Sequence, residues 1–399
     1  MSRTSPAPLV AIACGGTGGH FFPGLAVGEA LQAQGCEVLL LVSTKAIDQH
    51  AAQHASGMAV ATLPAVGLES GGGLRFLRGF WDSYRAARRL FRSRRPRAIL
   101  AMGGFTSAPP VLAARAGGVP AFLHEANSLP GRANRWLAHV VQEAFVYFPE
   151  AAGRLWQQRI QVTGMPVRAQ FQPLDPGACR VALGLHPERP TLVITGGSQG
   201  AHAVNELVLH LLPALRLLEP DLQFIHLTGP QDLERVREGY AALQCKAVVR
   251  PFLTEMELAL GAATAAVTRA GASSLAELAA MRLPAVLIPY PAAADNHQFY
   301  NARALAETGA ARVIEQARAT AEALLWELRQ LLRDAACRQG VQRALAQWHC
   351  PEAATRIAAG ILAAPPSRAP AAAPTPLPAP TPNEPLHATD HATGEACRS

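Results

Sequence analysis

No uninterrupted apolar run approaches the roughly 18 residues that a membrane-spanning helix requires, which excludes a helical span. Paired cysteine motifs are also missing. The seven cysteines, Cys14, Cys36, Cys179, Cys245, Cys337, Cys350 and Cys397, are odd in number, scattered and free of any CxxC. That pattern argues against a disulfide framework or a thiolate metal cluster and fits reduced thiols in a cytoplasm. His50 and His54 stand four apart and read as an exposed helical pair, so no metal site is expected. Lysine is nearly absent: only Lys45 and Lys246 contribute to the 36 basic residues, and the rest are arginines. The first eight residues carry one charge, Arg3, and the apolar stretch 9–14 breaks at Gly15-Gly16, too soon for an export signal.

The chain has 399 residues. At roughly 150 residues per domain, two or three domains are expected. Hydrophobic residues at 49% against 16% charged supply a substantial core and exclude wholesale disorder. LVAIAC (9–14) reads as a buried strand, followed by the glycine run GGTGGH (15–20) and a helical pattern over 22–35. EVLLLVS (37–43) is the next strand, and 98–102, 119–123 and 144–148 are further candidates. The design restarts at TLVIT (191–195), GGSQGA (196–201) and a helix over 202–215, then alternates through strands at 223–229, 247–252, 265–271 and 284–290. Two Rossmann-like α/β halves with parallel sheets follow from this repetition. Their joint falls near VTGMPVRAQF (162–171). We divide the chain at 1–164, 165–345, a helix at 346–363 packing back on the first half, and a proline- and alanine-rich tail at 364–399 expected to be disordered.

The formal charge of +7 is unevenly placed: residues 75–97 hold nine arginines against one acid, Asp82. Phe76, Phe80, Tyr84 and Phe91 lie near one helical stripe, with Leu77 and Trp81 beside it. A basic amphipathic helix has two readings. It is an ordinary helix packing its aromatics on the core, or it is a peripheral membrane contact through Phe76, Phe80, Trp81, Arg85, Arg88 and Arg89. Nucleic acid is not expected, since no binding motif accompanies the patch.

GGTGGH is not the dinucleotide fingerprint, because Phe21 stands where the third glycine is needed, and no GK[ST] follows to make a P-loop. One bland reading is a tight turn. The alternative is a ligand approached closely by backbone at a helix N-terminus, which favours negative charge. GGSQGA offers the same device in the second half. Together they predict two ligands meeting in a cleft between the halves. In TRAGASSLAEL (268–278), Ser273 and Ser274 can cap a helix. Glu277 either complements that helix's dipole or accepts the hydroxyls of a ribose. Asp295, His297, Gln298 and Asn301 form a polar group suited to a sugar.

GGTGGHFFPGLA, MGGFTSAPP (102–110), HEANSLPGRANR (124–135), GGSQGA, RAGASSLAE (269–277) and DNHQFYNA (295–302) occur in the order found in the MurG family, which the chain resembles over roughly residues 8–362. The resemblance implies a GT-B fold, two Rossmann-like domains with the active site between them. It implies transfer of GlcNAc from UDP-GlcNAc to undecaprenyl-diphospho-MurNAc-pentapeptide (lipid I), giving lipid II for peptidoglycan at the cytoplasmic face of the cell membrane. It also implies peripheral attachment, contact with anionic phospholipid and with other cell-wall or division proteins, and no cofactor. Carried over position by position, the donor contacts are Thr17, Gly18, Gly19, Asn127, Arg168, Ser198, Leu253, the segment Ala272, Ser273, Ser274, Leu275, Ala276 and Glu277, and Gln298. Gly15, Gly16, Gly103, Gly104 and Asn134 belong to motifs on the acceptor side. His20 is the expected base for the attacking hydroxyl, since an imidazole titrates near neutrality, or else it binds the acceptor diphosphate; Glu125 is the alternative base. No DxD occurs to hold a metal on the diphosphate, so none is expected. Met165 departs from the family's usual TGNPVR. Two rivals are a UDP-GlcNAc 2-epimerase, which needs no lipid acceptor, and a non-catalytic UDP-sugar-binding scaffold.

Overall fold

The computed structural model describes residues 7–16, 18–45, 55, 57–64, 72–197 and 199–365. Thr17, Ser198, the His50/His54 pair and the tail from 366 onward lie outside the described residues.

The apolar runs read in the sequence form strands, and every described pairing is parallel. The first sheet runs β3 (Ala59–Leu63), β2 (Glu37–Ser43), β1 (Leu9–Ala13), β4 (Ala98–Ala101), β5 (Ala121–Glu125), β6 (Glu143–Val146), β7 (Ile160–Val162). The second runs β10 (Ala247–Arg250), β9 (Gln223–Leu227), β8 (Thr191–Thr195), β11 (Ala265–Thr268), β12 (Ala285–Leu287), β13 (Arg312–Val313). Both are doubly wound Rossmann-like sheets, as expected. Strands β3, β7 and β13 escaped the sequence reading. They are edge strands whose residues are largely in contact with water, so they carry no apolar run.

Helices cover both faces of the first sheet. One side is packed by Ala87 and Phe91 of the arginine-rich helix Gly72–Ser93 together with Val111 and Leu137. On the other side the helix Gly18–Ala33 and the last described helix, Ala353–Ala363, pack against each other and both lie on the sheet. The helix Gly18–Ala33 is apolar nearly all round for that reason. Ile357 and Ile361 are fully buried in the first sheet's cluster with Phe122 and Phe145, and each contributes about 1.5–3 kcal/mol by leaving water. Arg97 clamps the same helix by donating to Leu362 O at 2.6 Å. Met165 is buried in the second half's cluster beside Tyr147, Phe148 and Phe171, so the substituted linker position is filled by packing.

Candidate active site

In each sheet the strand order reverses at one place, between β1 and β4 and between β8 and β11. Chains leaving adjacent strands there go to opposite faces and open a crevice at the carboxyl ends. GGTGGH follows β1, GGSQGA follows β8, and the segment 269–272 follows β11. These loops border one cleft of about 1080 Å³ walled by both halves.

On the second half's side, the helix Ala272–Met281 presents its N-terminus to the cleft through Ala272, Ser273 and Ser274. Its N-cap is Gly271, with no side-chain cap. The expected capping by Ser273 or Ser274 is therefore absent, and the first-turn N–H groups are available to an anion. Leu275 and Ala276 face the core, so their side chains cannot meet a ligand. Glu277 lies one turn in, half-buried on the cleft wall, and surrounding protein pushes its carboxyl up to about 7, opposed by Arg168. Among the described residues no donor reaches it by hydrogen bond. Leu253 also lines the cleft. The Gln298 carbonyl oxygen accepts from Ala270 N (3.2 Å) and Tyr290 N (3.0 Å), which orients the amide. Its NH₂ is left as the donor for a cleft ligand. Arg168 projects into the cleft with its guanidinium 4.4 Å from the Phe22 ring centre and 5.0 Å from that of Phe171. Below GGSQGA, Asp232 accepts from His202 (2.9 Å) and Asn205 (2.7 Å), and Asn205 meets the buried His226. Partial burial works against the Asp232 charge, but those bonds hold its carboxyl below the usual range. A Cβ on Gly200 would sit 2.2 Å from Thr228 O, so only glycine lets the loop lie this close to β9.

On the first half's side, Gly18, Gly19, His20 and Phe22 line the cleft. Gly103 (φ 116°) and Gly104 (φ 75°) form the seat of the His20 ring: a Cβ on Gly103 would lie 3.0 Å from Nε2 and one on Gly104 3.3 Å from Cε1. Thr106 Oγ1 donates to Gly15 O at 2.6 Å, and Gly16 lies against the same threonine. Gly15, Gly16, Gly103, Gly104 and Asn134 thus form the layer behind His20 and are not part of the cleft wall. Glu125, the alternative base, is turned inward as well. It is buried, and its oxygens accept from Asn127 N (2.8 Å), Asn127 Nδ2 (3.2 Å), Gly131 N (3.0 Å) and Asn134 Nδ2 (2.9 Å). Burial pushes its carboxyl up while those bonds pull it down. A carboxylate with both oxygens so occupied orders the loop 126–131 and the start of the helix Arg132–Leu137, and has no free lone pair aimed at the cleft.

Several residues tie the halves across the cleft. Asn301, expected among the sugar contacts, is fully buried at the seam: it accepts from Ser128 N (2.9 Å) and donates to Asn127 Oδ1 (3.0 Å). Asn127 reaches the cleft, but both ends of its amide are engaged. Asp295 bridges Arg132 and Arg135, each at 2.9 Å. Ser273 Oγ donates to Gly19 O at 3.0 Å. The sequence reading missed this group because the partners lie far apart along the chain and carry no local pattern.

The arginine-rich helix is exposed along Leu74, Leu77 and Trp81, while Phe80 and Tyr84 pack partly on the sheet and Phe76 meets Phe105 edge-on at 5.9 Å. Arg94 pairs with Glu37, and Arg95 and Arg97 hold backbone carbonyls. Arg75, Arg78, Arg85, Arg88, Arg89 and Arg92 have no carboxylate within ion-pair distance among the described residues. No described helix is long and apolar enough to cross a membrane.

Two Rossmann-like domains that bring a glycine loop each, and the uncapped N-terminus of the helix Ala272–Met281, to one shared cleft form the GT-B architecture found in nucleotide-sugar glycosyltransferases. Residues 10–146 match the glycosyltransferase family 28 N-terminal domain and residues 191–357 its C-terminal domain. The chain is similar to a protein of Acidithiobacillus ferrooxidans, 41% identical over 331 residues that cover 82% of this chain and 90% of that one. It is also similar to one of Anaeromyxobacter dehalogenans, 36% identical over 360 residues covering 87% and 90%. Both are named UDP-N-acetylglucosamine–N-acetylmuramyl-(pentapeptide) pyrophosphoryl-undecaprenol N-acetylglucosamine transferase. The crystal structure of Acinetobacter baumannii MurG superposes with a TM-score of 0.69 at 28% identity, covering 90% of this chain and 99% of that one. A UDP-N-acetylglucosamine 2-epimerase structure gives 0.63 at 12% identity, covering 88% and 94%, which is a likeness of fold alone. The chain belongs to glycosyltransferase family 28 and, within it, to the MurG family.

Proposed function

We propose that the chain moves GlcNAc from UDP-GlcNAc to the MurNAc 4-hydroxyl of undecaprenyl-diphospho-MurNAc-pentapeptide, forming lipid II for peptidoglycan. The observation that carries this reading is the meeting of two helix N-termini, at Gly18 and Ala272, on one cleft with Glu277 and the Gln298 amide beside them. In this account the ribose hydroxyls donate to Glu277, and the uracil lies by Leu253. The sugar takes the Gln298 NH₂. The donor diphosphate faces the N–H groups of Ala272, Ser273 and Ser274, with Arg168 supplying the fixed charge. The family resemblance adds Thr17 and Ser198 as further donor contacts.

The acceptor oxygen attacks the anomeric carbon from the face opposite the diphosphate. The new C–O bond forms as the bond to the β-phosphate oxygen breaks, the configuration inverts, and UDP carries away the electron pair. His20, seated on Gly103 and Gly104 at the cleft wall, takes the hydroxyl proton. Glu125 positions the loop that backs it. The helix Gly72–Ser93 lays Trp81 and its exposed arginines on the anionic inner leaflet, peripherally, where the lipid-linked acceptor resides. Its test is co-sedimentation with anionic vesicles at low salt; a chain that stays in the supernatant contradicts it. The reaction itself is tested with His20→Ala. A loss of roughly 10²–10⁴-fold in turnover with unchanged UDP affinity is expected of a missing base, and near-parental turnover contradicts the assignment.

A further inference from the structure

A helix carbonyl ordinarily receives the N–H of the residue four positions on. For Gly19 that residue is Pro23, inside the helix Gly18–Ala33. Proline has no N–H, and its ring crowds the carbonyl four residues back. The turn that bears His20 therefore contains a carbonyl without its intrahelical donor. Ser273 of the opposite domain supplies one, with Oγ donating to Gly19 O at 3.0 Å. Ser273 is free to do so because it does not cap its own helix.

We propose that Pro23 is a positioning residue. By withholding a donor from Gly19 it reserves that carbonyl for Ser273, and so registers the diphosphate-facing helix terminus against His20. The bond joins the residue preceding His20 to the second residue of the helix Ala272–Met281. It thus links the two parts that must converge on the reacting atoms. The inference rests on the transferase reading only for its rate readout.

The test uses the full chain with Pro23→Ala, Ser273→Ala and the double variant. Alanine at 23 restores the N–H, so Gly19 O regains an intrahelical partner that competes with Ser273. Pro23→Ala is expected to remain folded, the gain of a good helix former offsetting the lost packing of the buried ring. UDP affinity by calorimetry should stay within about twofold, while kcat falls roughly three- to tenfold, the value of one neutral hydrogen bond. Ser273→Ala should do the same, and the double variant should be no slower than the slower single, because both remove one interaction. Small-angle scattering with UDP bound gives a second readout independent of turnover: both singles should be more open than the parent.

An inactive parent sinks the transferase reading, and scattering alone then decides this one. Parental kcat and parental scattering in Pro23→Ala overturn the proposal, as do losses that multiply in the double variant. If Ser273→Ala weakens UDP binding by the same factor as it slows transfer, Ser273 is a donor ligand and the proposal falls. Should Pro23→Ala fail to fold, Ser273→Ala with parental kcat and scattering is sufficient to overturn it.

Discussion

Glu125 and Glu277 are both withdrawn from water, and their neighbours give them different work. Glu125 spends its lone pairs on three donors of its own loop and one, Asn134 Nδ2, of the helix that follows. Truncating it to alanine leaves those buried donors unanswered, so Glu125→Ala should lower stability by about 2–4 kcal/mol in denaturant unfolding. A stable but inactive Glu125→Ala would return the residue to the role of base. Among the described residues Glu277 has no such donors. Because its folded pKa of about 7 lies above its ordinary 4.5, the unfolded chain ionises first, and its contribution to stability declines as pH rises between those values. Glu277→Gln should flatten that part of the stability profile in thermal melts at several pH values. It should also weaken UDP binding by roughly 10- to 100-fold, the worth of a charge-assisted hydrogen bond to the ribose. Parental affinity would remove Glu277 from the donor site. The HEANSLPG motif made Glu125 visible in the sequence. Its inward turn was not visible, because loop backbone amides supply half of its donors.

At the scale of elements, strands and glycine loops were legible because buried parallel strands read as continuous apolar runs and glycines stand out between them. The first helix was less so. Expected over 22–35, it begins at Gly18, because Pro23 resembles a first-turn proline and glycines weaken the helical signal ahead of it. The helix Gly72–Ser93 has two readings in the sequence, core packing with solvated arginines and membrane contact. Phe91 and Ala87 pack inside, as the first reading expects, whereas Trp81 and six arginines without acidic partners among the described residues are exposed to whatever borders that face, and membrane contact stays a proposal. Each exposed arginine near an anionic leaflet contributes about 1 kcal/mol. Reversing Arg85, Arg88 and Arg89 to Glu should therefore abolish co-sedimentation with phosphatidylglycerol vesicles while leaving UDP affinity intact. Sedimentation equal to the parent's would assign the arginines to solvation alone.

At the scale of the whole molecule, the contacts between the halves were the least legible part. Asp295 illustrates why: it was placed among sugar contacts, yet it bridges Arg132 and Arg135 of the other half. Asp295 (φ 52°) and Asn296 (φ 54°) are both left-handed, and the pair of guanidiniums stands against the first of them. Asparagine tolerates that conformation about as well as aspartate, so Asp295→Asn removes charge without altering backbone preference. These arginines are substantially exposed, and surface pairs of this kind are worth about 0–1 kcal/mol each. Turnover should fall only a few-fold and lose part of its sensitivity to salt, which steady-state rates across ionic strength would show. An unchanged salt profile would mean that the bridge carries no closure energy.

The account stands on the chemistry of the cleft between the two domains. The most direct measurement supplies the purified chain with radiolabelled UDP-GlcNAc and a short-chain analogue of the MurNAc-pentapeptide diphospholipid, and resolves the labelled products. The account predicts disaccharide-linked lipid and UDP in equal amounts, with both lost in His20→Ala. Label appearing as an epimerised or free sugar, or remaining wholly in the donor while UDP-GlcNAc binds, would contradict it.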